Sequence, residues 1–252
     1  MRVAVIGGTG RIGRRTVTAL RRTGHDPVAV SRSGGVDVLT GAGLDEALAG
    51  AQAVIDVTNT AATDRDAAVD FFATVTTNLL AAEQRAGITH HVVLSIVGID
   101  RVPSNAHYAG KRAQEAAALD GPVPTSVVRA TQFHDFPVMI VGWTRQGDLA
   151  SVPPLLMQPI APLDVAEILA EISTGVPQGR YRDVAGPEPQ DLVDMARRTL
   201  AARGEDVRLV PTWRGIFSTD MSGEVLLPSP DARIAPTTFE QWLAAGGAAE
   251  IP

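Results

Sequence analysis

The amino-acid sequence predicts an α/β fold with a doubly wound parallel sheet, and two features of the chain predict it. The first is a glycine-rich segment that joins the apolar run 3–6 directly to a stretch with helical periodicity. The second is the alternation of short, β-branched apolar segments with helix-length segments as far as residue 130. Because the crossovers of such a fold are right-handed, its ligands bind outside the carboxyl ends of the strands.

The glycine-rich segment has the spacing of a dinucleotide-binding turn. It reads Gly7-Gly8-Thr9-Gly10-Arg11-Ile12-Gly13. The first glycines permit a tight turn, the next lets a pyrophosphate approach the backbone, and Gly13 lets the helix pack closely on the strand. Backbone N–H groups at the start of the helix then bind the phosphates, and Thr9 is assigned to the cofactor with them. The segment therefore predicts a Rossmann-type fold.

The tip of the second strand indicates which dinucleotide binds. Residues 27–30 form a short apolar strand, and Ser31, Arg32 and Ser33 follow it. A carboxylate at this tip hydrogen-bonds the ribose 2′-hydroxyl of NAD, whereas an arginine accommodates the 2′-phosphate of NADP. We therefore predict NADP(H), with Arg11 adding a further phosphate contact. The alternative is that Arg32 is only a solvated loop residue.

More strands and helices are predicted before residue 132. The strands cover residues 36–39, 53–57, 90–95 and 125–129, and the helices lie near residues 44–49, 66–85 and 105–119. Thr58 and Asn59 follow the strand at 53–57, at the sheet edge where a dinucleotide binds. We therefore place both among the cofactor-binding residues.

The final third of the chain has a looser pattern. We predict an NADP(H)-binding domain over residues 1–150 and a small substrate-binding subdomain over residues 151–252, with an approximate and interwoven boundary. Asp164 is predicted to cap a helix over 165–172, and residues 180–185 are predicted to form one strand. Thr237 and Glu240 have the spacing of a capping box.

Composition excludes several classes of function. The chain has no cysteine, which excludes disulfides, thiol catalysis and cysteine metal sites. The net charge of −6 argues against a nucleic-acid partner, and no apolar run approaches the roughly 20 residues of a membrane span. His90 and His91 point to opposite faces of a strand, so no metal site is expected. A cytoplasmic location is the expectation, and the oligomeric state is left open.

Candidate catalytic residues stand at the end of the strand over 90–95 and on the helix after it. Ser95 ends that strand, where a nicotinamide ring should lie. Lys111 is one helical turn from both His107 and Tyr108. A lysine beside the nicotinamide ribose can bind its hydroxyls and lower the pKa of a nearby acid, which then protonates a carbonyl that receives hydride. The alternatives are that Lys111 is a surface residue and that Tyr108 only packs.

Taken together, these segments resemble the atypical short-chain dehydrogenases/reductases of the NmrA-like branch. The resemblance rests on the glycine motif and on residues 94–100 and 129–133, and it spans nearly the whole chain. It implies a small-molecule substrate and an NADP(H)-binding Rossmann core, with Lys111 on the nicotinamide ribose. The other residues that it assigns to the cofactor are Gly7, Gly10, Arg11, Ile12, Gly13, Arg32, Thr131, Gln132 and Phe133.

Two positions depart from that family. Its active members carry a tyrosine four residues before the lysine, where this chain has His107, and Tyr108 is one residue further along. A histidine can act as an acid near neutral pH, and the alternative is that the acid is absent. The family also tends to place an aspartate after the third strand to hold the adenine amino group, and residues 40–44 supply none.

Three functions are compatible with the sequence. The first is an NADPH-dependent reductase of a small carbonyl or quinone, with Phe133, Phe136 and Trp143 able to stack on a flat ring. The second is a non-catalytic redox sensor that binds NADP(H) and a protein partner, which the missing tyrosine favours. An epimerase or dehydratase that uses NADP transiently ranks third, because it needs a tyrosine–lysine pair.

Overall fold

The computed structural model describes residues 1–214 and 217–250. The helices are α1 (Arg11–Arg22), α2 (Leu44–Leu48), α3 (Arg65–Ala86), α4 (Ala106–Leu119), α5 (Phe136–Thr144), α6 (Pro162–Ser173), α7 (Leu192–Arg203) and α8 (Phe239–Ala244). The strands are β1 (Arg2–Ile6), β2 (Asp26–Val30), β3 (Ala53–Asp56), β4 (His90–Ile96), β5 (Thr125–Ala130), β6 (Arg145–Gln146), β7 (Leu149–Val152), β8 (Leu156–Met157), β9 (Gly179–Arg180), β10 (Val184–Ala185), β11 (Gln190–Asp191), β12 (Arg208–Pro211) and β13 (Arg233–Ile234).

The main sheet has the strand order β13-β10-β5-β4-β3-β1-β2, and β9 pairs with β5 beside it. Its pairings are parallel. The strand order reverses at β1, which lies between β2 and β3. In an open parallel sheet, such a reversal opens a crevice at the carboxyl ends of the strands. The predicted Rossmann-type α/β fold is therefore confirmed.

Helices cover both faces of this sheet, because successive residues of each strand point to opposite sides. Val3 and Val5 pack in one cluster with residues of α1 and α6. Ala4 and Ile6 pack in another cluster with residues of α2 and α3. Burying each large aliphatic side chain in this way stabilises the fold by about 1.5–3 kcal/mol. The mainly apolar, β-branched strands of the sequence are typical of a sheet that is buried on both faces.

A second core lies outside the main sheet. It packs α5, α7 and α8 against the three-stranded sheet β12-β7-β6, and it includes Ile99, Val102 and Tyr108 from the first part of the chain. The last part of the chain also returns to the main sheet with α6, β9, β10 and β13. The two cores are therefore interwoven along the chain. Within the described residues, no helix has the length and apolarity needed to cross a membrane.

The strand predicted over residues 36–39 is wrong. Within the described residues, the bridge partner of Asp37 is Ala42, across a turn that contains Gly41 and is followed by Gly43, both with positive φ. The backbone carbonyls of Val38 and Leu39 accept hydrogen bonds from the side-chain amide of Asn78 on α3. A side chain from the neighbouring helix thus satisfies polar groups that a strand partner would otherwise have to satisfy.

Local details of the final third also differ from the prediction. Asp164 lies inside the first turn of α6, whose N-cap is Ala161, and its carboxylate accepts hydrogen bonds from the amide and hydroxyl of Thr237. Because Thr237 is engaged there, the capping box forms one residue later, between Thr238 and Gln241. The single strand predicted over residues 180–185 is two short strands, β9 and β10.

A buried ion pair at the amino-terminal end of the main sheet makes stability depend on pH. Glu83 lies 2.8 Å from His91, and both side chains are fully buried. Burial alone would lower the pKa of His91, and the carboxylate of Glu83 reverses this and raises it. The contribution of the pair is therefore complete below the ordinary histidine pKa of 6.5 and declines as pH rises through the raised value.

We expect Glu83→Gln to lower the free energy of unfolding by about 1–3 kcal/mol near pH 5.5 and by less near pH 9. Urea unfolding at the two pH values measures the difference. The control is Glu167→Gln, because Glu167 forms an exposed ion pair with Arg22, whose loss should cost under about 1 kcal/mol. An equal loss at both pH values for Glu83→Gln would contradict the prediction.

Candidate functional site

The glycine-rich turn forms a cradle of unpaired amides at the carboxyl end of β1. The amides of Gly7 and Gly8 both donate to the carbonyl of Val30, which ties the turn to β2. Helix α1 begins after Gly10, which contributes no side-chain cap. Within the described residues, the amides at positions 11–13 donate to no protein group. An anion is the natural partner for such amides, because the helix dipole adds to their positive field.

The backbone of this turn is packed so tightly that side chains cannot enter it. A Cβ added to Gly13 would lie 2.1 Å from the carbonyl oxygen of Gly7, and one added to Gly8 would lie 2.7 Å from that of Val5. Gly7 itself has a φ of +79°, which favours glycine. These contacts bring α1 close to the sheet and leave its first amides open to a ligand.

Arg11 links the glycine-rich turn to the segment before α5. Its guanidinium donates to a carboxylate oxygen of Asp135 at 3.0 Å and lies 2.8 Å from the sulfur of Met139. Asp135 is buried, and burial raises the pKa of its carboxyl although Arg11 opposes that effect. The Arg11 side chain therefore has a protein partner at the edge of the crevice, and a phosphate contact would be additional to that ion pair.

Arg32 lies at the tip of β2 and is exposed. It begins a short 3-10 turn, Arg32–Gly34, next to hydroxyls of Ser31 and Ser33 that lie 3.0 Å apart. Among the residues that the structure describes, Arg32 has no ion-pair partner. Its charge and the two hydroxyls are therefore available to an anionic group of a ligand at this edge of the sheet.

Lys111 is buried on the inner face of α4. Its ammonium donates to the carbonyl of Leu94 at 2.6 Å and to the side-chain oxygen of Gln114, and it lies 4.8 Å from the centre of the Phe72 ring. Burial lowers the pKa of Lys111 from 10.5 to about 8, against the opposing charges of Asp56 and Glu115. This ammonium therefore loses its proton closer to neutral pH than an exposed lysine does.

The structure separates the two candidate acids next to Lys111. His107 is half-buried, with its ring edge-on to Phe72 at 5.5 Å. Burial, with a further contribution from the charge of Lys111, lowers the pKa of His107 to about 4. Tyr108 is buried in the second core, its hydroxyl 3.4 Å from the amide nitrogen of Gln132, and burial raises its pKa to about 12. Both side chains are therefore uncharged at neutral pH.

Ser95 lies near the end of β4, buried beside the carboxylate of Glu115. That carboxylate accepts hydrogen bonds from Arg129 at 2.8 and 2.6 Å and from Arg180 at 2.6 Å. Burial alone would raise the pKa of Glu115, and these hydrogen bonds lower it instead. Ser95 is thus adjacent to a compact ion-pair cluster next to Lys111.

Within the described residues, four buried polar atoms at the carboxyl ends of the strands have no hydrogen-bond partner. They are the hydroxyls of Thr58, Ser95 and Thr131 and the side-chain oxygen of Gln132. Thr58 follows β3, Ser95 lies near the end of β4, and the other two residues follow β5. Because buried polar groups are almost always paired, these atoms fit a polar ligand in the crevice. The remaining predicted cofactor residues have varied surroundings, with Thr9 and Asn59 exposed, Ile12 buried and Phe133 half-buried.

Asp56, Gln114 and Glu115 were not among the site residues predicted from the sequence, although two signals in the sequence point to them. Asp56 is the one acidic residue in a strand that is otherwise apolar, and the spacing of residues 111, 114 and 115 places them on one face of a helix. The composition also draws attention to Lys111 itself, because Lys111 is the only lysine among the 22 lysine and arginine residues.

Comparison with known proteins shows which solved structures share this fold. No family model and no curated protein matches the sequence. Among solved structures, the dTDP-4-dehydrorhamnose reductase of Bacillus anthracis in complex with NADP is 16% identical, with 97% of this chain and 99% of that chain covered and a TM-score of 0.74. The NADPH-dependent quinone oxidoreductase of Escherichia coli, complexed with NADPH, is 15% identical, with coverage of 83% and 78% and a TM-score of 0.65.

A third similar structure is a short-chain dehydrogenase/reductase superfamily protein from Agrobacterium tumefaciens with bound NAD. It is 19% identical, with 99% of this chain and 97% of that chain covered and a TM-score of 0.66. At these identities, the likeness shows a shared fold. The NmrA-like resemblance stays a prediction.

Proposed function

We propose that this protein is an NADPH-dependent reductase of a small carbonyl or quinone. The observation that carries the proposal is the cradle of unpaired amides at the start of α1, which glycines keep open. A pyrophosphate suits this cradle in charge and in its number of acceptor oxygens. The likeness in fold to reductases crystallised with NADP and with NADPH supports the same assignment.

The predicted cofactor residues divide by the part of the dinucleotide that each would hold. The glycine-rich turn would hold the pyrophosphate, and Arg32 with its flanking serines would hold the 2′-phosphate. Lys111 would hold the nicotinamide ribose, and the segment after β5, where the oxygens of Thr131 and Gln132 are unpaired, would flank the nicotinamide. Bound NADPH supplies a hydride, and the protein supplies orientation and charge.

The lack of a strong acid beside Lys111 favours a quinone over a simple carbonyl as the acceptor. At neutral pH, His107 is uncharged and Tyr108 is buried against Gln132, so neither is a strong acid in position to protonate an alkoxide. The ammonium of Lys111 stabilises negative charge that develops on an acceptor oxygen nearby. A reduced quinone spreads this charge over its ring and needs less help from an acid.

A non-catalytic sensor of NADP(H) that binds a protein partner is the second candidate. The lack of a strong acid beside Lys111 favours this candidate, because a site without such an acid can bind the cofactor without turning it over. Trp143 and Phe136 do not decide between the two candidates, since Trp143 is 59% exposed and Phe136 packs edge-on against Phe217.

Binding and turnover together distinguish these functions. Calorimetry with NADPH and NADP⁺ measures affinity, and the loss of reduced-nicotinamide absorbance measures turnover with a panel of quinones and aldehydes. Saturable binding with turnover supports the reductase, and saturable binding without turnover on any acceptor supports the sensor. The absence of saturable binding would overturn both.

We expect Arg32→Asp to reverse the preference for NADPH over NADH. Loss of one or two charge-assisted hydrogen bonds, each worth about 1.5–3 kcal/mol, changes the ratio of the two Kd values by at least about tenfold. Calorimetry with both cofactors measures this ratio. Arg21→Asp is the matched control, because Arg21 is an exposed arginine at the opposite end of α1. A ratio that is the same in Arg32→Asp and in the wild type would remove the NADP(H) assignment.

A further inference from the structure

We propose that Gln114 is a positioning residue for Lys111: its side-chain amide, oriented by Asp56, holds the Lys111 ammonium in place and charged. The ligand that this ammonium would meet, the nicotinamide ribose, rests on the proposed function. The arrangement of the three side chains rests on the geometry of α4 and β3 alone.

The three side chains form a buried chain of hydrogen bonds. Lys111 and Gln114 are three residues apart on α4 and share its inner face. The side-chain nitrogen of Gln114 donates to a carboxylate oxygen of Asp56 at 2.8 Å, and the side-chain oxygen of Gln114 accepts from the Lys111 ammonium. Asp56 and Gln114 are fully buried, and Lys111 is 4% exposed.

Chemistry dictates the order of this chain. A carboxylate only accepts hydrogen bonds and an ammonium only donates them, whereas an amide has one end of each kind. Asp56 therefore requires the NH₂ end of Gln114, which turns the oxygen of Gln114 toward Lys111. The other carboxylate oxygen of Asp56 accepts from the amide of Thr58 at 2.8 Å, which connects the chain of bonds to the sheet edge where the unpaired hydroxyls lie.

The remaining charges near Lys111 are largely compensated by other groups. On its own helix, Glu115 is bound by Arg129 of β5 and by Arg180 of β9, and His107 is uncharged at neutral pH. From α3 the neighbour is the ring of Phe72, and from β4 it is a backbone carbonyl. Among the described residues, Asp56 is thus the carboxylate near Lys111 that no arginine neutralises, and Gln114 is the group between the two.

The composition of the chain makes this arrangement unusually easy to measure. Because Lys111 is the only lysine, protein made with ¹⁵N-labelled lysine gives one side-chain ammonium signal in a nuclear magnetic resonance spectrum. The pH dependence of that signal reports the protonation of Lys111 directly, with no cofactor present. The measurement is therefore independent of the proposed function.

The experiment compares the titration midpoint of Lys111 in the wild type and in three variants. Gln114→Met keeps the size of the side chain and removes both hydrogen bonds, and we expect the midpoint to fall by about one to two pH units. Asp56→Asn removes the carboxylate and lets the amide of Gln114 turn its NH₂ group toward the ammonium, so we expect a fall at least as large. Gln114→Glu restores an oxygen acceptor and should not lower the midpoint.

Thr199→Val is the control, because it removes a buried hydroxyl of α7 that donates to the carbonyl of Met195 in the same helix. It should leave the midpoint unchanged. A midpoint in Gln114→Met equal to that of the wild type would overturn the proposal, even if the variant were less stable. If Asp56→Asn fails to fold, the contrast between Gln114→Met and Gln114→Glu decides.

Calorimetry with NADPH near pH 7 and near pH 9 tests whether the protonated Lys111 that Gln114 holds contributes to cofactor binding. We expect the Kd of Gln114→Met to rise with pH more steeply than that of the wild type, and equal pH dependence would overturn the role in cofactor binding. A wild type that binds no NADPH would remove the proposed function, while the titration midpoints would still decide the arrangement of Asp56, Gln114 and Lys111.

Discussion

Lys111→Met is expected to lower kcat/KM for the proposed NADPH-dependent reaction by at least about a hundredfold. The variant keeps the length of the side chain and removes the one positive charge that lies among Leu94, Gln114 and Phe72. That charge would bind the nicotinamide ribose and stabilise negative charge on the acceptor. Steady-state kinetics with the best quinone from the panel measures the loss.

The stability of Lys111→Met should change by less than about 2 kcal/mol, because two effects oppose each other. Removal of a buried ammonium relieves a desolvation cost, while the oxygen of Gln114 loses its partner. Lys111→Arg should not restore activity, since a planar guanidinium does not fit a slot built for an ammonium. A variant that loses activity only in proportion to its loss of folded protein would contradict a functional role for this lysine.

Activity and stability should also respond to pH in opposite directions. Because the pKa of Lys111 is lowered to about 8 in the folded state, the unfolded chain binds this proton more tightly. Between about pH 8 and pH 10, the contribution of Lys111 to stability therefore rises with pH, while activity that requires the ammonium falls. In Lys111→Met, the fall in activity over this range should be absent.

Gly13→Ala is expected to weaken NADPH binding by more than about a hundredfold. The new Cβ would lie 2.1 Å from the carbonyl oxygen of Gly7 and 2.7 Å from the Cα of Gly8, so the turn and the start of α1 must move apart. Both contacts are with backbone atoms, and no rotation of a side chain relieves them. Displacement of two amides from the phosphates removes about 3–6 kcal/mol of binding free energy.

Calorimetry with NADPH measures this effect, and the circular dichroism of the variant shows whether it is folded. Gly142→Ala on α5 is the matched control, because a Cβ at Gly142 meets no atom within 4 Å. It should bind NADPH as the wild type does. Wild-type affinity in a folded Gly13→Ala protein would mean that the cofactor does not bind at the start of α1.

Much of the main sheet could be predicted from the sequence because its signals are local. The largely apolar, β-branched runs at 3–6, 53–57 and 125–129 are typical of a sheet that is covered on both faces, and the glycine spacing after residue 6 predicts a turn into a helix. Residues 36–39 show the limit of such signals. Their alternation of apolar and polar residues is that of a strand, yet the side chain of Asn78, far along the chain, donates to the carbonyls of Val38 and Leu39 in a turn.

By itself, the sequence determined the class of the fold, the position of the glycine-rich turn and the presence of a lysine on the helix after β4, because each depends on residues close together in the chain. Only the tertiary structure decided the surroundings of that lysine. Asp56 and Lys111 are brought together by the packing of α4 on the sheet, and burial then lowers the pKa values of Lys111 and His107. Desolvation and charge at these positions come from residues distant in sequence, so no local pattern records them.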